Sequence, residues 1–260
     1  MNAELIGIGF VVGVLVGLTG VGGGSIMTPL LIALNISPIA AVGTDLLYSV
    51  PTKLFGAFLH HRQRTINWQL VLWLCVGGFP ATLVGALALV WMRHHIAIAV
   101  LQSFTKHAVG VALVISALII IATPWLLKNE DRENGVTEWT PALRSRLVAI
   151  GVAVGLIVTI TSIGSGSVTL PLLAILLPFI SLRTLVGTDI AFAAILIPTA
   201  FLSRWSMGGV NIPLAVNLIV GSMPGVFLGT KLCAVFQQRY LRPALAVTLV
   251  VVGARMALSV

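Results

Sequence analysis

Charge is what this sequence has least of. Charged residues make up 8% of its 260 positions, where a soluble domain carries roughly a quarter. That shortage excludes an ordinary water-soluble domain. Acids are scarcer than bases, 7 against 15, yet the basic excess does not describe a nucleic-acid surface. Arg62 and Arg64, Lys128 and Arg132, Arg144 and Arg146, and Arg239 and Arg242 stand at the ends of apolar segments, which is what positive-inside anchoring produces. Cysteine is limited to Cys75 and Cys233, both in apolar segments and not in a CxxC, so neither a disulfide framework nor a dithiol redox pair is supported. No P-loop, nucleophile elbow or zinc motif is present, and ATP-driven pumping, catalysis, a metal and a cofactor are all unsupported. His60 with His61, and His94 with His95, are adjacent pairs that do not converge on one ion. The opening MNAELIG has no basic n-region, so the first apolar stretch is expected to stay in the mature chain.

What is present is long apolar sequence. Residues 38–52, 67–90 and 108–127 are nearly free of charge, and about 20 apolar residues cross a hydrocarbon core. The reading is an all-α integral membrane protein. Trp68, Trp73, Trp91 and Trp125 stand near presumed segment ends and read as an aromatic belt.

The chain also repeats itself. At a displacement of about 144 residues, GGGSIMTPLL (22–31) lines up with GSGSVTLPLL (164–173), and AVGTDLLYS (41–49) with LVGTDIAFA (185–193). Asn67 falls on Asn211, and GGFP (77–80) on GSMP (221–224). The expected organisation is a first transmembrane repeat over 1–127, a polar cytoplasmic linker over 128–146, and a second repeat over 147–260. Each repeat reads as a glycine-broken segment (5–34; 147–179), a long helix (38–60; 183–203), a third helix (67–91; 211–233) and a final span (108–127; 244–259).

An unbroken helix of about 30 residues would be roughly 45 Å long against roughly 30 Å of hydrocarbon. If each break turns the chain back, a repeat makes about three crossings and the second copy is inverted. Inversion puts Arg62, Arg64, Lys128, Arg132, Arg144, Arg146, Arg183, Lys231, Arg239 and Arg242 on one side and leaves Arg93, Arg204 and Arg255 opposite. The charge bias therefore favours inverted-topology repeats with re-entrant or V-shaped broken helices.

Non-helical backbone at membrane depth is tolerated where it is packed in protein or lines an aqueous cavity. A half-helix restarting near Ser25 or Pro29, and again near Ser167 or Pro171, would aim free N–H groups and a positive dipole end into such a cavity. Two such ends make an anion site. Glycine can also serve close helix packing alone; the duplication in register favours the site. Asp45 and Asp189, in the two GTD triplets, are the acids well inside apolar segments. They are read as proton-coupling or helix-capping groups, because an ionised carboxylate is a poor ligand for an anion. Ser49, Lys53, Gly56 and His60 share one helical face that could line an anion path; alternatively Lys53 snorkels or pairs with Asp45.

The patterns GxGGGSxxxPLL, AVGTDLL…TK…GA…HH, GxGS…PLL, VGTDI and GSMPG together resemble the sulfite exporter TauE/SafE family, also called the 4-toluene sulfonate uptake permeases. The resemblance covers essentially the whole chain. It implies a multi-pass bacterial inner-membrane transporter for sulfur oxyanions, organosulfonates or related small organic anions, with no bound cofactor. Gly22, Gly23, Gly24, Ser25 and Pro29, then Gly164, Gly166, Ser167 and Pro171, then Thr44, Asp45, Thr188 and Asp189 match its motifs. Family members often carry aspartate where this chain has Asn67 and Asn211, and a histidine near Ser203. The expected function is secondary transport by alternating access, with Ser25, Ser167 and the glycines donating to the anion and Lys53, Thr44 and Thr188 beside it. The partners expected are a small anionic substrate and the lipid bilayer. A passive channel and a membrane accessory subunit are the competing readings.

Overall fold

The computed structural model describes residues 3–19, 23–126, 139–233, 247 and 249–256. Gly22, linker residues 128–138, Arg239 and Arg242 lie outside the described residues. The chain is all-helical: α1 (Ala3–Thr19), α2 (Gly24–Ala33), α3 (Pro38–Arg62), α4 (Trp68–His95), α5 (Ile98–Leu126), α6 (Pro141–Thr161), α7 (Thr169–Leu176), α8 (Leu182–Ser206) and α9 (Ile212–Cys233). Residues 249–256 are also helical. Among the described residues, α4, α6 and α8 in full, with Ile98–Ile121 of α5 and Ile212–Gly229 of α9, are long and apolar enough to cross a membrane. Leu72, Val76, Val84, Leu87, Phe227 and Val251 are exposed, as a lipid-facing surface requires.

Local chemistry sets the helix ends. Asn67 accepts from the Gln69 and Leu70 N–H groups at the start of α4, and Asn211 accepts from Leu214 N–H at the start of α9. Thr140 and Ser181 cap α6 and α8. Asn67 and Asn211, which match across the repeat, are thus both N-caps. Helices α3 and α8 end alike, with Thr65 N–H donating to the His60 carbonyl and Gly209 N–H to the Arg204 carbonyl. Each passes through one left-handed residue, Arg64 at φ 54° and Gly208 at φ 69°.

Two seams of small residues hold the bundle. A Cβ on Gly221, Gly225 or Gly229 of α9 would strike the backbone of Ile6, Phe10 or Val14 of α1 in turn, and one on Gly9 or Gly13 would strike Leu218 or Ser222. Between α4 and α6 the same happens: Gly77 meets Val148, and Gly151 and Gly155 meet Leu74 and Gly78. Backbones approach this closely only where side chains are absent. In each seam the contacts advance together along both helices, so α1 runs parallel to α9 and α4 parallel to α6. Each partner comes from the other half of the chain. Replacing Gly225 by leucine is expected to lower thermal stability and the yield of monodisperse protein, since overpacking costs about 1–3 kcal/mol or more. The Gly7→Leu control has open space around its Cβ and should behave as wild type.

The long helices α3 and α8 run antiparallel. Gly43 near the start of α3 abuts Gly209 beyond the end of α8, while Gly187 near the start of α8 abuts Thr65 beyond the end of α3. Arg183 donates to Gln63 at 2.9 Å, which fixes one end of the bundle. α4 starts at that end, and its parallel partner α6 with it. The segment α6–break–α7 therefore leaves that end and returns to it where α8 begins. By the same steps α1–break–α2 leaves and returns to the opposite end, where Asn211 N–H meets Thr44 Oγ1 at 3.2 Å.

Sequence expectation and structure differ at several boundaries. The second half-helix starts at Thr169, after a turn at 165–168, midway between the expected Ser167 and Pro171. Pro29 is not in the first turn of α2, which starts at Gly24. Having no N–H, it leaves the Ser25 carbonyl without its helical donor. The interval between the expected third helix and the expected final span, residues 92–107, is helical apart from 96–97 and belongs to α4 and α5. Trp68 and Trp91 are exposed at the ends of α4, as a belt requires, but Trp73 is partly buried beneath the Arg144 guanidinium, 5.2 Å from the ring centre.

Candidate functional site

The start of α2 and the non-helical segment after α6 meet at one buried carboxylate, and a second holds the far end of that segment. Asp45 and Asp189 are 0% and 2% exposed. Neither caps its own helix, since each stands about two turns inside it. Asp45 Oδ2 accepts from Thr28 Oγ1 in α2 at 3.0 Å and from Ser162 Oγ in the second break at 2.5 Å. A Cβ on Gly24 would run into the Ser162 carbonyl and lie 3.1 Å from Asp45 Oδ2. Asp45 thus fastens the start of α2 to the end of α6.

Asp189 holds the other end of the second break. Its Oδ1 accepts from Gly166 N–H at 3.2 Å, and its Oδ2 lies 4.0 Å from Lys53 Nζ. Lys53 pairs with the acid of the other half and not with Asp45, because its face of α3 turns toward α8. Gly56 on that face lies against Ile190, and His60 beside Gly187. Eight residues of α3 separate Asp45 from Lys53, roughly 12 Å of helix. The non-helical stretch from Ser162 to Gly166 covers that same interval, within reach of four extended residues at about 3.3–3.6 Å each. Ser162 has φ 62°, Gly164 φ 139° and Gly166 φ 86°, so the two glycines take backbone that a side chain would strain. The result is two polar stations stacked along α3, joined by one buried non-helical segment.

The remaining candidates separate into occupied and unoccupied donors. Ser167 Oγ is 3.2 Å from Ser116 Oγ of α5. Thr188 Oγ1 accepts from Asn67 N–H at 3.1 Å and donates to the Thr184 carbonyl. Thr44 Oγ1 accepts from Asn211 N–H. Gly23 lies against the Tyr48 ring. Ser25 Oγ and Asp45 Oδ1 are buried and, among the described residues, have no hydrogen-bond partner. Buried polar atoms are seldom left so; each is a position where a ligand group or water would complete a hydrogen bond. At the α1–α2 end of the bundle, a surface cavity of about 800 Å³ is lined by Ala3, Leu5, Ile36, Asn211, Pro213, Leu214 and Asn217. Asn211 connects it to Thr44, the neighbour of Asp45.

Three groups at this site were invisible at the sequence level. Ser162 lies in the second broken segment just ahead of the duplicated motif, Thr28 stands inside the motif where the second copy has Leu170, and Ser116 is one serine in an apolar run. Arg204 stands where a helix-end anchor would, yet it is 0% exposed.

Comparison with known proteins agrees with these features. The family model described as "Sulfite exporter TauE/SafE" matches residues 5–256. "Probable membrane transporter protein YjnA" of Bacillus subtilis is 40% identical, over 98% of this chain and 100% of its own length. "Probable membrane transporter protein YdhB" of the same organism is 30% identical, over 94% and 95%. No solved structure matches the chain. With the family model spanning almost every residue, broken helices included, the chain belongs to the sulfite exporter TauE/SafE family of membrane transporters.

Proposed function

We propose that this transporter is a secondary carrier of a small oxyanion, such as sulfite or an organosulfonate, that works by alternating access and takes up a proton with its substrate. One observation carries the reading. The Asp189 carboxylate is held by a backbone N–H of the break and by Lys53, so the place built for an anion is filled by the protein's own. A substrate anion can take that place only when Asp189 gives up its charge or leaves. Protonation of Asp189 removes the charge and frees Gly166 N–H and Lys53 together, so proton and anion arrive as a pair. Ser25, Gly23, Gly24, Gly164 and Ser167 line the approach, with Thr44 and Thr188 behind them. Asp45 ties the two breaks.

We infer further that residues 1–127 and 147–260 are inverted repeats joined by a cytoplasmic linker, in the inner membrane. The antiparallel α3 and α8 and the reciprocal Asn67–Thr188 and Asn211–Thr44 bonds support this. In such a design each half closes one face of a shared central site.

The test is flux into proteoliposomes of sulfite, 4-toluenesulfonate and acetate, with and without a pH gradient. Saturable uptake of at least one anion, faster when the outside is acidic, is expected. Unsaturable conduction would indicate a channel, and no flux of any of the three would remove the anion reading. Asp189→Asn, neutral at every pH, is expected to keep transporting while losing its acceleration by the gradient. Asp45→Asn keeps its acceptor oxygen and should retain the gradient response.

A further inference from the structure

We propose a second anion-binding station at Arg204, one turn of α6 beyond the break; the proposal rests on the anion-carrier reading and adds a site to it. Arg204, in the last turn of α8, is 0% exposed. Its Nη2 donates to the Ile160 carbonyl at 2.6 Å and to the Thr159 carbonyl at 3.4 Å. Its Nε and Nη1 are buried and have no partner among the described residues. No described carboxylate lies within ion-pairing distance, where Lys53–Asp189 is the pair found. The surroundings are apolar, for Ile160 packs into the cluster of Ile39, Leu89, Leu101 and Met207.

A guanidinium in such a place is a costly arrangement. Buried charge is ordinarily paired, and an ionisable group inside a membrane protein marks a pathway or a ligand by default. Arginine does not shed its proton to escape the cost. Two carbonyls at a helix C-terminus satisfy one nitrogen and leave three N–H donors on the other two. An oxyanion supplies both the missing charge and the missing acceptors, and arginine is the side chain best matched to carboxylate, sulfonate and related groups.

Position gives the station its role. Arg204 holds the carbonyls of Thr159 and Ile160, and Ser162, two residues on, donates to Asp45. Gly209, whose N–H donates to the Arg204 carbonyl, abuts Gly43 beside Thr44. The station therefore lies level with Asp45, on the half of the bundle that carries the Asn211 cavity. An anion arriving from that end meets a fixed positive charge where it reaches the break. His60, displaced from Arg204 by about 144 residues, holds the corresponding place at the other end, where its Nδ1 is 2.8 Å from Thr65 Oγ1. The two ends are thus unequal: one offers a permanent cation with open donors, the other an imidazole already engaged.

The experiment compares wild type, Arg204→Gln and Arg204→Lys in two measurements: half-saturating sulfite for proteoliposome flux, and unfolding temperature in detergent without and with sulfite, with 4-toluenesulfonate and acetate run in parallel. If Arg204 binds the anion, Arg204→Gln raises the half-saturating concentration about 10- to 100-fold, the range lost with charged hydrogen bonds, and abolishes stabilisation by the anion. Arg204→Lys retains the charge and shows a smaller rise. A residue that only caps α6 would instead lower the ligand-free unfolding temperature and leave half-saturation unchanged, and that result overturns the station. Should Arg204→Gln fail to fold, Arg204→Lys decides by the same criterion. If wild type moves none of the three anions, the carrier reading falls and the station with it; if wild type is saturable and both variants match it, the station alone falls.

Discussion

Gly24→Ala is expected to lower anion flux by about two orders of magnitude, the loss that follows when a binding group is displaced by about 1 Å, while the protein still inserts and purifies. The added methyl would occupy the space of the Ser162 carbonyl oxygen and press on Asp45 Oδ2. Neither neighbour can withdraw. Ser162 is held in left-handed backbone at the end of α6 and donates its hydroxyl to Asp45; Asp45 is also bonded to Thr28, four residues beyond Gly24. The start of α2 must therefore move away from the second break, and the two polar stations lose their register. Gly23→Ala is a graded comparison. Its methyl would lie 2.9 Å from a Tyr48 ring carbon, a side-chain contact in place of a backbone one, so its loss should be smaller. Gly166→Val acts differently again, forcing a β-branched residue to φ 86°, a conformation that β-branched residues rarely take. Initial rates per inserted protein, with folding monitored by gel filtration, check all three. Wild-type rates for Gly24→Ala would falsify the claim that the joined breaks form the transport site.

How much of this was legible beforehand depends on the range of the signal. The broken segments, their duplication and the GTD helices were readable because glycine, proline and an isolated acid in an apolar run are local chemistry with few other uses. The joining of the two breaks was suggested by the repeat alone, but its means was not: Ser162 reaches Asp45 across 117 positions of sequence, and nothing near either residue announces the other. Lys53 could be placed on a face of α3, yet whether that face met Asp45 or Asp189 depended on the antiparallel packing of α3 against α8. The glycine seams show the same limit. Gly221, Gly225 and Gly229 sit at helical spacing, but the backbone they admit is that of α1, from the far end of the chain. Arg204 is the most instructive residue. Its place at the end of an apolar segment matches a membrane-surface anchor, and burial, which sequence does not display, turns it into a charge lacking a partner.

Lys53→Met should be the most damaging single substitution of a charged residue, and pairing it with Asp189→Asn separates two roles for the ion pair. Without Lys53, Asp189 keeps the Gly166 N–H and the Thr169 hydroxyl, both neutral donors, at a position 2% exposed. Removing one partner of a buried pair costs about 3–5 kcal/mol, because the remaining charge is uncompensated. Lower thermal stability and flux reduced at least about 100-fold are therefore expected. Adding Asp189→Asn removes the uncompensated charge, so the double variant should regain most of the lost stability. Flux decides between the roles. If Lys53 is the cation that receives the substrate once Asp189 is neutral, the double variant is stable and inactive while Asp189→Asn alone still transports. If the pair only holds α3 to α8, the double variant transports as well as Asp189→Asn. The displaced-carboxylate mechanism requires the first result, since it gives Lys53 two successive partners and makes the exchange between them the step at which proton and anion are coupled.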